Sequence, residues 1–194
     1  RNDRFTLRNP NVAARAAVVC LGPWSAELVK RFGVKVPLGV KRGYHQDFAL
    51  PDDARRNDTM LNRLMVDEDN GFVLAPGVDR RNGRPRIRLT TGAEFARLDD
   101  PASDVQLHRA EREARKILPL GEPLRKTPWR GARPCLPDLR PVIGRLSPDL
   151  GLWANFGHHH LGFTLGPITG RLLAEMMSGE KPFADPSPYS ALRF

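Results

Sequence analysis

Gly131-Ala-Arg-Pro-Cys-Leu-Pro-Asp-Leu-Arg-Pro-Val-Ile-Gly144 and then Gly151-Leu-Trp-Ala-Asn-Phe-Gly-His-His-His-Leu-Gly-Phe-Thr-Leu-Gly-Pro167 are the stretches that decide the fold class. In the first, Pro134, Pro137 and Pro141 restrict the backbone around Arg133, so a guanidinium is carried by a segment with little freedom. In the second, the apolar run Leu152, Trp153, Ala154 and Phe156 has strand length, breaks at Gly157 and restarts at Gly162 in a helical pattern. Strand, glycine loop and helix in that order aim backbone N–H groups and the positive end of a helix dipole at one spot. Such a place suits a ligand that is, or becomes, negatively charged. Most connections of this kind only turn the chain, so the pattern alone leaves both readings open. The closing helix is expected from Leu165 or Pro167 to Met177, with Leu172, Leu173, Met176 and Met177 as its core face and Gly179 past its end. The tail from Lys181 to Phe194, with three prolines, is expected along the surface.

Upstream, a polar lead from Arg1 gives way to Ala16-Ala-Val-Val-Cys-Leu21, a continuous apolar run typical of parallel strands covered on both faces. Gly22-Pro-Trp-Ser25 ends it, with Ser25 as the expected cap of a helix from Ala26 to about Phe32. From Gly43 the residues suit a half-buried strand, followed by strands at Arg63–Asp67 and Phe72–Ala75 joined through Asn70-Gly71, whose two residues tolerate positive φ. Asn82-Gly83 precedes Arg86-Ile-Arg-Leu-Thr-Thr91, where charged and apolar residues alternate. These strands predict an antiparallel sheet, wet on one face and packed on the other. A helix is expected from about Asp104 to Ile117, with Val105, Leu107, Ala110, Ala114 and Ile117 available for burial. The chain therefore reads as a mixed α+β and α/β protein, in which an α/β sheet is interrupted by an antiparallel substrate-type domain. The boundaries fall at residues 1–35, 36–125 and 126–194.

The 194 residues carry 31 Lys and Arg against 22 Asp and Glu, a formal charge of +9. The densest basic group, Arg80, Arg81, Arg84, Arg86 and Arg88, has no interleaved aromatic residues for base stacking, so a solvated basic face is favoured over nucleic acid. Attraction of anionic substrates or a lipid surface stays open. Cys20 and Cys135 lack C-x-x-C spacing and read as buried free thiols. Three adjacent histidines, His158 to His160, point alternately on an extended chain and do not converge on one metal ion. No apolar run is of spanning length, and no secretory leader is present, so the expectation is a cytoplasmic chain. Beginning at Arg1, it reads as a fragment.

Several features together resemble the C-terminal end of the D-amino acid oxidase family of FAD-dependent oxidoreductases. They are Gly131-Ala-Arg-Pro134, the run from Pro137 to Gly144, Gly157-His158 followed by Gly162, and Gly166-Pro167 with Thr169-Gly170. The bacterial D-amino acid dehydrogenases are the nearest match in pattern. The resemblance implies the C-terminal part of a Rossmann-like FAD-binding domain around an antiparallel substrate domain, with FAD as cofactor and an amino acid as substrate. It implies that Arg133 grips the substrate carboxylate; read from the residues alone, pairing of Arg133 with Asp138 is an equal alternative. It also places Gly22, in a Gly-x-Trp turn, and His159, His160, Leu161, Gly162, Phe163 and Thr164 beside the flavin. Relatives often hold small residues at the second and third of the three histidine positions. Tyr44 and His45 are candidate catalytic or pocket-lining residues, with a wall residue for Tyr44 and a solvent-facing strand residue, rather than a catalytic base, for His45 as their plainer readings. The glycine-rich pyrophosphate cradle, G-x-G-x-x-G, is absent from these residues, as expected if an N-terminal FAD-binding portion is missing. The implied reaction is oxidation of a D-amino acid to an imine and then a 2-oxo acid and ammonia. Electrons would pass to oxygen or a membrane quinone, the latter at the inner membrane face. A sarcosine or glycine oxidase, and a non-catalytic basic binding module, are the alternatives.

Overall fold

The computed structural model describes residues 14–51, 61–147, 149 and 151–194; the polar lead before Ala14 and the expected strand's approach at Leu150 lie outside them. The chain forms two compact units, one from residues 1–40 and 133–194, the other from residues 41–132. As the sequence pattern indicated, the fold is mixed, with parallel pairing in the first unit and an antiparallel sheet in the second.

The first unit has a three-stranded sheet in which β1 (Ala17–Val19) runs parallel to β9 (Leu152–Phe156), and β8 (Val142–Arg145) runs antiparallel to β9. Alternation along β9 divides its side chains between two cores. Leu152, Ala154 and Phe156 pack with Val19, Val29 and Val142, while Trp153 joins Ile143, Leu172 and Leu173. Thus α1 (Ser25–Lys30), which contributes Val29, and α3 (Gly162–Ser178), which contributes the two leucines, feed separate clusters.

Several expectations are corrected here. The apolar run at Ala17–Val19 is not covered on both faces, since Val18 is 41% exposed and Leu21 and Trp24 are exposed too. Ser25 is no cap: a 3-10 turn, Gly22–Trp24, precedes α1, and Ser25 is buried within the helix. Helix α3 begins three residues before Leu165, because Leu165 N–H already bonds to Leu161 O (2.8 Å), and Pro167 is accommodated inside it. Thr169 replaces Met177 on the buried face; Met177 is exposed. The tail lies along the surface as expected but is anchored there: Ala191 enters the first core, and Arg193 Nε donates to Asp138 Oδ2 at 2.7 Å. Cys20 is exposed rather than buried.

The second unit's strands run in the order β3 (Met65–Asp67), β4 (Phe72–Val78), β5 (Pro85–Thr91), β2 (Gly39–Ala49), β6 (Glu94–Phe95), with β7 (Trp129–Cys135) also paired to β2. Phe48, Phe72, Leu74, Ile87 and Leu89 form one face, under Leu107, Ala110 and Ala114 of α2 (Val105–Ile117). The expected burial of Val105 and Ile117 fails: Val105 lies off that stripe, and Ile117, though it continues the spacing, is the last residue of the helix; both are exposed. Strand β2 is more than half-buried: Arg42, Tyr44, Gln46 and Asp47 are all enclosed. The Asn70-Gly71 connection is a four-residue loop rather than a tight two-residue turn, since Asp67 pairs with Phe72 and only Gly71 takes positive φ. The Asp67 carboxylate, accepting from Asn70 N and Nδ2 (both 2.9 Å), supplies that loop's order instead.

Candidate functional site

In the first unit the parallel pairing of β1 and β9, in the register Val19↔Ala154, delivers two loops to the same end of the sheet. One is the Gly22 turn and the other is the bend from Gly157 to Leu161. The carboxyl ends of adjacent parallel strands are where α/β sheets hold ligands. At Gly22, φ is +55° and nothing occupies the space a Cβ would fill, so a ligand has access to bare backbone there. Just beyond it, the Ser25 hydroxyl is buried without a hydrogen-bond partner among the described residues.

The bend itself is bound to the strand that carries Arg133. His159 N–H donates to Pro134 O at 3.0 Å, and Leu136 N–H donates to His159 Nε2 at 3.2 Å. This pair of bonds ties the histidine across both sides of Cys135. It requires His159 to adopt φ +57°, a left-handed conformation that favours glycine, which accounts for the small residues the resemblance leads one to expect. The side-chain bond to Leu136 offsets the strain. Gly157, at φ +87°, could not carry a side chain at all without displacing Leu136, whose Cδ1 would lie 2.6 Å from a Cβ.

Helix α3 opens immediately afterwards, with Leu161 as N-cap, no side-chain cap and no acidic residue in its first turn. The N–H groups of Gly162, Phe163 and Thr164 have no carbonyl one turn back within the helix, and all three residues are exposed. The positive end of the helix is therefore neither capped nor neutralised. His158 packs against the helix without adding to that charge: its Nε2 lies 3.0 Å from the Thr169 hydroxyl, and burial, then His159, pushes its pKa down. An uncharged imidazole there adds no cation. His160 and Leu161 are exposed beside the bend. Exposed amides at an uncapped helix start, open backbone at Gly22 and an orphaned hydroxyl fit a large, partly anionic ligand such as a flavin.

Arg133 is half-buried on β7. Asp138, the alternative partner of Arg133, accepts from Arg193 (2.7 and 3.3 Å) and from Arg140 N–H (3.2 Å). Asp138's carboxyl is depressed chiefly by the Arg193 hydrogen bond.

Tyr44 and His45 belong to the second unit and have different fates. Tyr44 is buried; its hydroxyl donates to Glu94 Oε2 (2.8 Å) and accepts from Ser103 N–H (3.1 Å), so it is occupied in structure rather than offered to a ligand. Beside it, Arg42 is only 2% exposed and bonds to Glu94 Oε2 (2.8 Å) and to the carbonyls of Asp100 and Pro101. His45 stacks on Trp129, with ring centroids 4.7 Å apart. Desolvation and then the Arg88 charge lower its pKa, leaving it neutral. Trp129 was not singled out from sequence, although the motif contained its signature. A Cβ on Gly131 would run into the Trp129 ring, so that glycine makes room for the indole folded back over it. Among the described residues no group of His, Cys, Asp or Glu is arranged to hold a metal, and no helix is long and apolar enough to cross a membrane.

Comparison with known proteins agrees with the resemblance. The chain is 30% identical over 195 residues to a D-amino acid dehydrogenase of Chromohalobacter salexigens, covering 100% of this chain and 44% of that protein. It is 31% identical over 177 residues to a glycine oxidase of Pseudomonas aeruginosa, covering 89% and 44%. The crystal structure of glycine oxidase from Geobacillus kaustophilus superposes with a TM-score of 0.73 at 25% identity, over 94% of this chain and 46% of that one. The chain thus spans about half the length of the relatives it matches. Residues 2–176 match the DAO model, described as FAD dependent oxidoreductase, and the chain belongs to that family.

Proposed function

We propose that this chain forms the substrate-binding part and the C-terminal flavin-binding part of an FAD-dependent amine oxidoreductase that deaminates a D-amino acid. The unit of residues 41–132 takes the substrate-domain role, and the unit containing Arg133 and α3 takes the flavin-side role. The observation that carries the reading is the His159–Pro134 bond, which fastens the bend before α3 to the strand bearing Arg133. A carboxylate clamp and a set of amide donors suited to gathering negative charge are thereby held in one piece of backbone. A D-amino acid dehydrogenase among the relatives supports the choice of substrate class.

In this reading Arg133 fixes the substrate through two charge-assisted hydrogen bonds to its carboxylate. When bound, FAD supplies the acceptor for the Cα hydrogen and its electron pair. The amine enters uncharged; its lone pair forms the C=N bond as the hydride leaves, and water hydrolyses the resulting iminium to a 2-oxo acid and ammonia. No side chain needs to remove a proton from Cα, so the protein acts by position and electrostatics. Gly162, Phe163 and Thr164 direct amide N–H groups, and Gly22 open backbone, to the flavin, with His160 and Leu161 flanking it. His159, its own N–H committed, holds the bend in place.

The test is steady-state kinetics on the gene product that carries this chain. Arg133→Ala should raise the KM for a D-amino acid about a hundredfold, the scale of losing a bidentate ion pair, and Arg133→Lys should recover part of it. An unchanged KM in Arg133→Ala removes the proposal. A glycine oxidase-like reading is favoured by the Pseudomonas and Geobacillus likenesses, and turnover of glycine or N-methylglycine but not D-alanine would select it. Whether oxygen or a quinone takes the electrons is read from oxygen uptake against reduction of a quinone analogue.

A further inference from the structure

The second unit contains a cavity of about 400 Å³ outside everything assigned above, lined by Arg80, Arg81, Arg86, Arg88 and Arg125 with Asp47 and Asp79. We propose that it binds a phosphate group, carried by a small diphosphate-type ligand or by a lipid head group. The inference does not depend on the flavin reading.

Charge is the first argument. Five arginines against two aspartates leave three positive charges facing one cavity. Asp79 neutralises Arg81 through bonds to its Nε and NH2 (3.1 and 2.9 Å). Asp47 is shared: its Oδ1 accepts from Arg86 NH1 (2.7 Å) and Arg88 Nε (2.8 Å), and its Oδ2 from Arg88 NH2 (3.2 Å). Arg80 and Arg125 have no carboxylate partner among the described residues.

Preorganisation is the second. Arg86 and Arg88 alternate with Ile87 and Leu89, which are anchored in the core under α2, so the two guanidinium stems cannot rotate off their face. Asp47, directly opposite Arg88 on β2, is itself enclosed. Burial alone would raise its pKa, but the Arg88 hydrogen bond and then the Arg88 and Arg86 charges outweigh this and hold it ionised. Arg86 also lies across Gly77, its cross-strand neighbour: a Cβ there would stand 3.2 Å from Arg86 Cζ, tighter than ordinary contact. After these internal bonds each guanidinium, with five N–H donors, still has N–H groups to give. Fixed guanidinium forks with spare donors and excess charge are the chemistry that recognises phosphate oxygens.

The experiment is calorimetric titration of the gene product with inorganic pyrophosphate, and co-sedimentation with phosphatidylglycerol against phosphatidylcholine vesicles, both at fixed ionic strength. Binding should weaken about tenfold in Arg80→Gln and again in Arg125→Gln, each removing one charge-assisted contact. Arg112→Gln, which removes one charge from the exposed face of α2, should leave it unchanged and serves as the control for net charge. Pyrophosphate binding identifies a soluble ligand; binding confined to phosphatidylglycerol identifies the head group. The proposal is overturned if neither probe binds, or if Arg112→Gln weakens binding as much as the cavity variants do. Because Arg80 and Arg125 are exposed, an unchanged melting temperature in both variants is expected.

Discussion

The bend of the first unit and the charged strand of the second handle polarity in opposite ways. From Gly157 to Thr164 the groups on offer are backbone amides, and the side chains serve to set their direction. Along β2, by contrast, Arg42, Tyr44 and Asp47 are locked to side-chain or carbonyl partners, and the backbone is absorbed in the sheet. Substitutions should therefore damage the two regions differently. On β2 the loss should appear as stability, because removing one partner strands a buried charge. At the bend it should appear chiefly as geometry, and so in ligand affinity.

The largest expected effect tests the β2 side. Arg42→Ala removes the counter-charge of the Glu94 carboxylate, which keeps only the Tyr44 hydroxyl, and leaves Pro101 O without a donor, while Asp100 O retains Arg130 NH1. The cost is on the order of 3 kcal/mol, read as a lowered midpoint in urea. A midpoint within error of the wild type would break the contrast. Next in size is Gly157→Ala, where a left-handed backbone and the Leu136 contact both oppose a methyl group. About 2 kcal/mol of destabilisation is expected, with cofactor affinity measured by fluorescence quenching falling as well. Smaller still is the distinction between His159→Ala and His159→Gly. Alanine loses the bond to Leu136 and keeps the strain, whereas glycine loses the bond and relieves it, so alanine should be the less stable by about 1 kcal/mol. Equal stabilities would mean that the left-handed conformation at 159 stores nothing.

The same contrast explains what could be read in the sequence. The bend was legible because glycines and prolines report backbone conformation locally: Gly131 and Pro134 sit in one short stretch, Gly157 and Gly162 in another. The alternation of Arg86 to Leu89 was legible for a similar reason, since period two assigns faces without knowledge of the partner strand. Arg42 and Glu94 are 52 positions apart, and nothing local marks either as buried; their pairing exists only once β6 lies against β2. The partners of the Tyr44 hydroxyl, Glu94 and Ser103, likewise come from distant chain, so its place in that network has no local signature. The tail's course over the surface was legible from its prolines, but its anchors were not: Ala191 joins the first core and Arg193 pairs with Asp138 only once the sheet is folded.

The smallest predicted effect concerns acid. Glu94's carboxyl is lowered first by the Arg42 hydrogen bond, with burial opposing and Tyr44 assisting. A folded-state value below the unfolded one, about 4.3 for a glutamate, means the folded protein binds protons less readily than the unfolded chain. The stabilisation is then complete above that unfolded value and disappears as pH falls through the lower, folded one. Urea midpoints in the wild type should hold above about pH 4.3 and fall as the pH drops below it. In Glu94→Gln the starting midpoint should be lower, because Arg42 loses its counter-charge, yet the acid slope should be shallower, because one of the titrating carboxylates is gone. Asp47 and Asp138 are depressed as well, so some slope must survive the substitution. An acid slope in Glu94→Gln equal to that of the wild type would assign the whole acid response to those other pairs, and would make the β2 network no more pH-sensitive than the Asp138–Arg193 pair of the first unit.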